Sequence, residues 1–255
     1  MNRLNVKGTS IFYQVEGNGI PIVFIHPPVL TSVIFKYQLE GLSSNLQVIT
    51  FDIRGHGRSE FSSLPITYPL IIQDITKLLD HLNIEKAIIC GYSTGASIAL
   101  EFLLSFPERT LGGIIISGMP DVDDIYLRNK ITLGSKLASK GAKSVLAWSM
   151  SWSNSDTLPL FKTMVKEASR GKIENMEQYF RYSMEYNCTS QLKHINKPML
   201  LVFGKKDKPF FKYASILQKN LPDNHLYFIN ESHRIPTKAA KELNQLIIGF
   251  VHTNF

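Results

Sequence analysis

A serine set between two glycines, Gly91-Tyr92-Ser93-Thr94-Gly95, stands where a buried strand gives way to a helix, and it restricts the chain more than any other segment. Upstream, Lys86-Ala87-Ile88-Ile89-Cys90 is a short β-branched apolar run of the kind buried on both faces in a parallel sheet. Downstream, Thr94 to Ser105 carries Ala96, Ile98, Ala99, Leu100, Phe102 and Leu103 nearly all round, which suits a helix packed inside a domain. In so sharp a strand-to-helix turn the chain crosses itself two residues on either side of the serine, so side chains at positions 91 and 95 would collide. The hydroxyl is then held clear of its neighbours, as a nucleophile needs if a histidine is to take its proton. The pentapeptide is a candidate nucleophile elbow, to be weighed against a purely structural Gly/Ser turn.

The rest of the chain alternates strands and helices with one interruption. Leu4 to Val6 and Ser10 to Val15 predict a first pair of strands, followed by strands at Ile20 to Ile25 and Val48 to Phe51. Ile71, Ile75, Leu78, Leu79 and Leu82 share one face of a helix opened by Pro69. Beyond the elbow helix come strands at Gly113 to Ser117, Met199 to Phe203 and Leu226 to Ile229, and a closing helix marked by Leu243, Leu246, Ile247, Phe250 and Val251. Such alternation implies an α/β fold, a mostly parallel sheet with helices on both faces, whose ligands bind beyond the carboxyl ends of the strands. With 255 residues, 44% of them hydrophobic, the chain can bury one large core. The expected partition is a core of residues 1–120 and 196–255 with a helical cap at 121–195. That insert shows Leu160, Phe161, Met164, Val165 and Ala168 at helical spacing and is rich in aromatics. Trp148 and Trp152 are its best candidates for lining an apolar pocket over Ser93; the remaining aromatics read as packing.

Charge gives no strong lead to a partner. The net +7 is concentrated C-terminally, since residues 193–255 carry 10 basic and 4 acidic side chains against 18 and 17 before them. Lys205, Lys206, Lys208, Lys212 and Lys219 read as a solvated face, without the aromatic or arginine-rich interleaving that reads bases. No nucleic-acid or membrane partner is expected. Apolar runs are too short to span a bilayer, Met1-Asn2-Arg3 leads into no signal core, and Cys90 and Cys188 suggest no disulfide framework, so a cytoplasmic monomer or homodimer is expected.

Four further segments give the chain a likeness to a known family. Phe51-Asp52-Ile53-Arg54-Gly55-His56-Gly57-Arg58-Ser59 follows a central strand, His26-Pro27 follows another, and Phe203-Gly204-Lys205-Lys206-Asp207 and Ser232-His233 come later in the same order. With the elbow, these make the chain resemble the α/β-hydrolase superfamily, in its serine-nucleophile, cofactor-independent branch, over essentially its whole length. The resemblance implies an α/β-hydrolase fold with a helical lid inserted after the strand that follows the nucleophile helix. It also implies a triad of Ser93, Asp207 and His233 in the chain order serine, acid, histidine. Both partners lie four residues past a strand, which would bring them to the edge where Ser93 sits. Asp121, Asp123 and Asp124 remain rival acids, and Glu231 is too near His233 in sequence to orient it. The other histidines, including His26 and His56, read as loop-bracing or surface residues, and no spacing suggests a metal.

The loop after the first central strand departs from the family pattern. Thr94 supplies one oxyanion N–H, but the position that usually supplies the second is Pro28, which has none. Val29 N–H is then the best candidate, with the hydroxyls of Thr31 or Ser32 as alternatives. Pro28 and Tyr92 join the two tryptophans as expected pocket residues. The implied activity is cofactor-free hydrolysis of a small or medium carboxylic ester or related acyl compound through an acyl-enzyme. Acyl transfer or perhydrolysis would use the same triad, and a ligand-binding or signalling protein on the same scaffold is the other class. Haloalkane dehalogenases and epoxide hydrolases resemble the chain but use an aspartate nucleophile.

Overall fold

The apolar runs become the strands of one sheet in a computed structural model that describes residues 2–255. In chain order the strands are β1 (Arg3–Val6), β2 (Thr9–Glu16), β3 (Ile20–Ile25), β4 (Leu46–Phe51), β5 (Ala87–Tyr92), β6 (Thr110–Ile116), β7 (Met199–Gly204) and β8 (Asn224–Ile229). Their spatial order is β1-β2-β4-β3-β5-β6-β7-β8. The first two pairings are antiparallel and the rest parallel. Among the described residues ten α-helices accompany them: α1 (Lys36–Leu42), α2 (Tyr68–His81), α3 (Thr94–Ser105), α4 (Ile125–Ser139), α5 (Lys143–Asn154), α6 (Leu158–Arg170), α7 (Ile173–Glu185), α8 (Phe211–Asn220), α9 (Ile235–Lys238) and α10 (Ala240–Asn254).

Alternation along each strand explains why the central runs are apolar throughout. Val23, Ile25, Ile49, Ile89, Ile115 and Leu201 face one layer, where α2, α3 and α8 pack. Their neighbours Ile22, Phe24, Val48, Ile88, Ile114 and Leu200 face the other, against α1 and α10. A strand buried on both faces leaves no polar side to alternate. Helices α4 to α7 form an insertion between β6 and β7, and an antiparallel bridge between Asp121 and Asn187 ties its two ends together.

The structure extends or adds to several predicted elements. Strand β5 continues through Gly91 and Tyr92 rather than stopping at Cys90, because Tyr92 still pairs with Ile116 of β6. Helices α1 and α8 were not anticipated. The first has seven residues, too few for a period to emerge, and buries only Gln38 and Leu42.

The glycine-rich turn after β4 is organised by a buried ion pair. Arg54 is fully buried, with Nε and Nη2 donating to the two carboxylate oxygens of Asp74 on α2 at 2.5 and 2.7 Å. Nη1 donates to Thr9 Oγ1 and Nη2 also to the Val6 carbonyl, so the guanidinium locks the turn to both the β1–β2 hairpin and α2. Burial raises the Asp74 pKa, and the hydrogen bonds and charge of Arg54 oppose that rise. Removing one partner strands the other charge in the core. Arg54→Ala is expected to cost about 3–5 kcal/mol in urea unfolding, and a loss under about 1 kcal/mol would remove this role.

Candidate active site

The elbow takes the shape its glycines allow. Ser93 sits at φ 55° and ψ −125°, a conformation unfavourable for any residue with a Cβ. A Cβ at Gly91 would run into the carbonyl of Gly95 and the backbone of Ala96, and one at Gly95 into the carbonyl of Ile25. Strand and helix therefore touch directly, and the strained serine stands at their junction. Its amide donates to the Ile116 carbonyl, which fixes the turn to the neighbouring strand.

Three elements bring side chains to that junction. Ser93 Oγ lies 2.9 Å from His233 Nε2, and His233 Nδ1 lies 2.7 Å from Asp207 Oδ2. Asp207 follows β7 and is buried, while Ser93 and His233 are part-exposed. The imidazole is held between two rings, Phe210 at 4.3 Å and Tyr92 at 5.4 Å between centroids. Phe210 escaped the sequence reading. Its only signal was its place three residues beyond Asp207, in a short 3₁₀ turn whose Phe210 amide donates to the Asp207 carbonyl.

The rival acids are engaged elsewhere. Asp121 accepts a hydrogen bond from Thr189 Oγ1, Asp123 pairs with Lys212, and Asp124 caps α4 by accepting from the Leu127 amide. Glu231 accepts from the amide and hydroxyl of Ser232.

The double-proline loop has its own conformation. Val29 is fully buried at φ 70°, a strained state for a β-branched residue. The amides of Val29, Leu30 and Thr31 donate to no described residue, whereas the Ser32 amide donates to Asp52 Oδ1 at 2.8 Å. Of the two hydroxyl alternatives, Thr31 Oγ1 accepts from the Val33 amide. Asp52 Oδ2 accepts from the Arg58 amide, so one buried carboxylate ties the loop after β3 to the turn after β4. Burial pushes its pKa up, against the pull of those hydrogen bonds.

Two histidines brace the same loops. His26 Nε2 accepts from the Ile53 amide, which leaves the proton on Nδ1 to donate to the Pro27 carbonyl. His56 donates from Nδ1 to the Arg54 carbonyl, and its ring packs 5.4 Å from that of His26. The helical insertion meets this framework twice. Tyr179 of α7 donates to the His26 carbonyl at 3.0 Å, and Asn154 of α5 accepts from the Tyr92 hydroxyl at 2.9 Å.

Trp148 and Trp152 do not take the place foreseen for them. They are 54% and 58% exposed and stack on one another, while the inward side of α5 carries Ser151 and Asn154. Spacing alone puts 148 and 152 on one face but does not say which way that face turns. Among the described residues, no three His, Cys, Asp or Glu side chains gather as a metal-ion cluster.

A mostly parallel eight-stranded sheet, a strained serine at the β5–α3 turn and a helical insertion after β6 define the α/β-hydrolase class. The alpha/beta hydrolase fold family matches residues 20–234, and the chain belongs to it. Similar proteins include AB hydrolase superfamily protein YisY of Bacillus subtilis, 24% identical over 94% of this chain and 95% of that protein. The 3-oxoadipate enol-lactonase 1 of Acinetobacter baylyi is 23% identical over 97% and 95% of the two chains. Among solved structures, an esterase from Exiguobacterium antarcticum superposes with a TM-score of 0.87 at 20% identity, over 97% of each chain. The enol-lactonase from Burkholderia xenovorans LB400 superposes with the same score at 18% identity, over 98% of this chain and 100% of that one. At such identities the structural likeness speaks for the fold.

Both bracing histidines are held neutral by burial, His26 at a pKa of about 4 and His56 at about 3, where the neighbouring His26 adds to the depression. In the unfolded chain each takes up its proton near pH 6.5. Below that pH the unfolded state binds more protons, so the stability is whole above pH 6.5 and drains as the pH falls toward 4 and then 3. The loss amounts to roughly 3 kcal/mol or more for each group once both are charged. Urea midpoints should fall from pH 7 to pH 4.5, and less steeply in His56→Gln; equal midpoints at the two pH values would contradict the assignment.

Proposed function

We propose that the protein is a cofactor-independent serine hydrolase acting on a small or medium carboxylic ester or related acyl compound. The observation that carries this reading is the unbroken line from Ser93 Oγ to His233 Nε2 and from His233 Nδ1 to Asp207 Oδ2, at 2.9 and 2.7 Å. Ser93 Oγ attacks the substrate carbonyl carbon while its proton passes to His233 Nε2. Asp207 holds the imidazole with its Nδ1 proton inward and stabilises the cation that forms. Collapse of the tetrahedral adduct breaks the bond to the leaving alcohol, which takes the proton from Nε2. Water, deprotonated by the same nitrogen, then releases the acid from the acyl-enzyme.

The developing oxyanion needs donors fixed in advance. In this reading the Thr94 amide, at the positive end of α3, is one and the Val29 amide the other. The Val29 amide supports this by having no partner among the described residues, beside a Pro28 that can offer no N–H. Pro28 and Tyr92 then shape the pocket wall. Residues 121–195 serve as a cap, fastened over the site by its hydrogen bonds to His26 and Tyr92. Lactonase and esterase relatives fit an ester or lactone bond. Acyl transfer or perhydrolysis would follow if another nucleophile replaced water at the acyl-enzyme. Pro28 also favours a second reading, a ligand-binding protein with slow turnover.

A fluorophosphonate probe and p-nitrophenyl esters of increasing acyl length separate these readings. The wild-type protein should label within minutes and hydrolyse short esters, and Ser93→Ala should do neither. Asp207→Asn should label slowly and lose on the order of 10³–10⁴ in kcat. Folded wild-type protein that resists the probe would refute the proposal.

A further inference from the structure

The helical insertion turns an apolar, cationic face to solvent that the proposed chemistry does not use. Val145, Trp148 and Trp152 lie at positions i, i+3 and i+7 along α5, all more than half exposed. Leu158, one turn before Phe161 at the start of the adjoining α6, is 58% exposed. The two indoles stack at 5.6 Å with their planes 6° apart, and Phe161 of α6 meets both edge-on at 5.9 and 5.4 Å. The rings thus form a preassembled platform on the outer side of the α5–α6 hairpin. Exposed apolar clusters of this kind mark contact surfaces.

Charge says what the platform fits. Residues 140–172 carry six basic and two acidic side chains. Glu167 is buried between Arg58 and Arg170, and Asp156, exposed and still charged, turns its carboxylate to the Tyr37 hydroxyl of α1, so the hairpin stays net basic. Lys162 and Lys166, both exposed, extend from the outer face of α6 at helical spacing from Leu158. Indole rings and long lysine stems suit the boundary between headgroups and acyl chains, where an apolar body is buried while the charge stays wet. No helix of the described residues is long and apolar enough to cross a membrane, and surface docking needs none.

We propose that the α5–α6 hairpin docks on anionic lipid surfaces, with Trp148, Trp152 and Leu158 entering the interface and Lys162 and Lys166 meeting the headgroups. This reverses the expectation that the protein has no membrane partner. It stands apart from the hydrolase reading, because none of these side chains belongs to the proposed triad or oxyanion site.

Trp148 and Trp152 are the only tryptophans in the chain, so intrinsic emission reports on the platform directly. The full chain is titrated with vesicles of phosphatidylcholine alone and of phosphatidylcholine mixed equally with phosphatidylglycerol, with emission and co-sedimentation read in parallel. The anionic vesicles should shift the emission to the blue and carry the protein down, and raised salt should release it. Lys162→Gln with Lys166→Gln keeps both reporters and should weaken partitioning on the order of thirtyfold. Trp148→Ala with Trp152→Ala, checked for folding by circular dichroism, should abolish co-sedimentation. An unshifted spectrum with anionic vesicles, or equal binding to neutral ones, would overturn the proposal. So would an emission shift that follows protein concentration without lipid, which would assign the platform to a second copy of the chain.

Discussion

Helix α3 crosses β5 so closely that no side chain fits at Gly91 or Gly95, and the placement of Ser93 depends on that contact. The serine's backbone is strained at φ 55°, a state that persists only where packing over-determines it. Ile25 of β3 presses its carbonyl against Gly95, and Ile116 of β6 accepts from the Ser93 amide, so strands on both sides hold the turn. Their sides are covered by apolar layers above and below the sheet, and the hydrophobic term that drives the fold also fixes the one unfavourable torsion. The chemistry proposed for Ser93 therefore rests on ordinary packing several residues away.

Around that junction Asp52, Arg54, Asp74 and His26 form a second, polar framework, each of them hydrogen-bonded within it. Asp52 collects amides from Ser32 and Arg58, Arg54 answers Asp74, and His26 bridges Pro27 and Ile53. Unpaired, any of them would be costly in so dry a place. Paired, they make the loops after β3 and β4 a single rigid unit into which Tyr179 reaches from the insertion. The conspicuous glycine-rich turn with Asp52, Arg54 and Ser59 is thus architectural. Its charged side chains point into the scaffold, and what they hold is the loop that carries Val29.

What could be read from the sequence follows from the same physics. Strands buried on both faces leave continuous apolar runs such as Ile20 to Ile25 and Met199 to Phe203, and these were legible with nearly correct ends. The meeting of Asp207 and His233 with Ser93 was legible because parallel strands deliver their C-terminal loops to one edge. The orientation of α5 was not, since Trp148 and Trp152 share a face whichever way the helix rolls. The partners that settle the roll, Asn154 with Tyr92 and with the Thr237 hydroxyl, lie 62 and 83 positions apart. Phe210 and Tyr179 were hidden for the same reason: an aromatic in a turn or on a helix looks like packing until the ring it touches is known.

That roll also gives α5 two different jobs. Its inner side carries Asn154, whose side chain accepts from the Tyr92 hydroxyl and whose carbonyl accepts from Thr237 of α9, close to His233 in the chain. Its outer side carries the indole platform. A helix pinned by two hydrogen bonds on one face and left apolar on the other cannot rotate to bury its tryptophans without breaking the first set, and buried bonds of that kind resist loss. The exposure of Trp148 and Trp152 is therefore a consequence of how the insertion is fastened over Tyr92. Anything that engages the platform bears on the same helix that holds Tyr92 against the His233 ring.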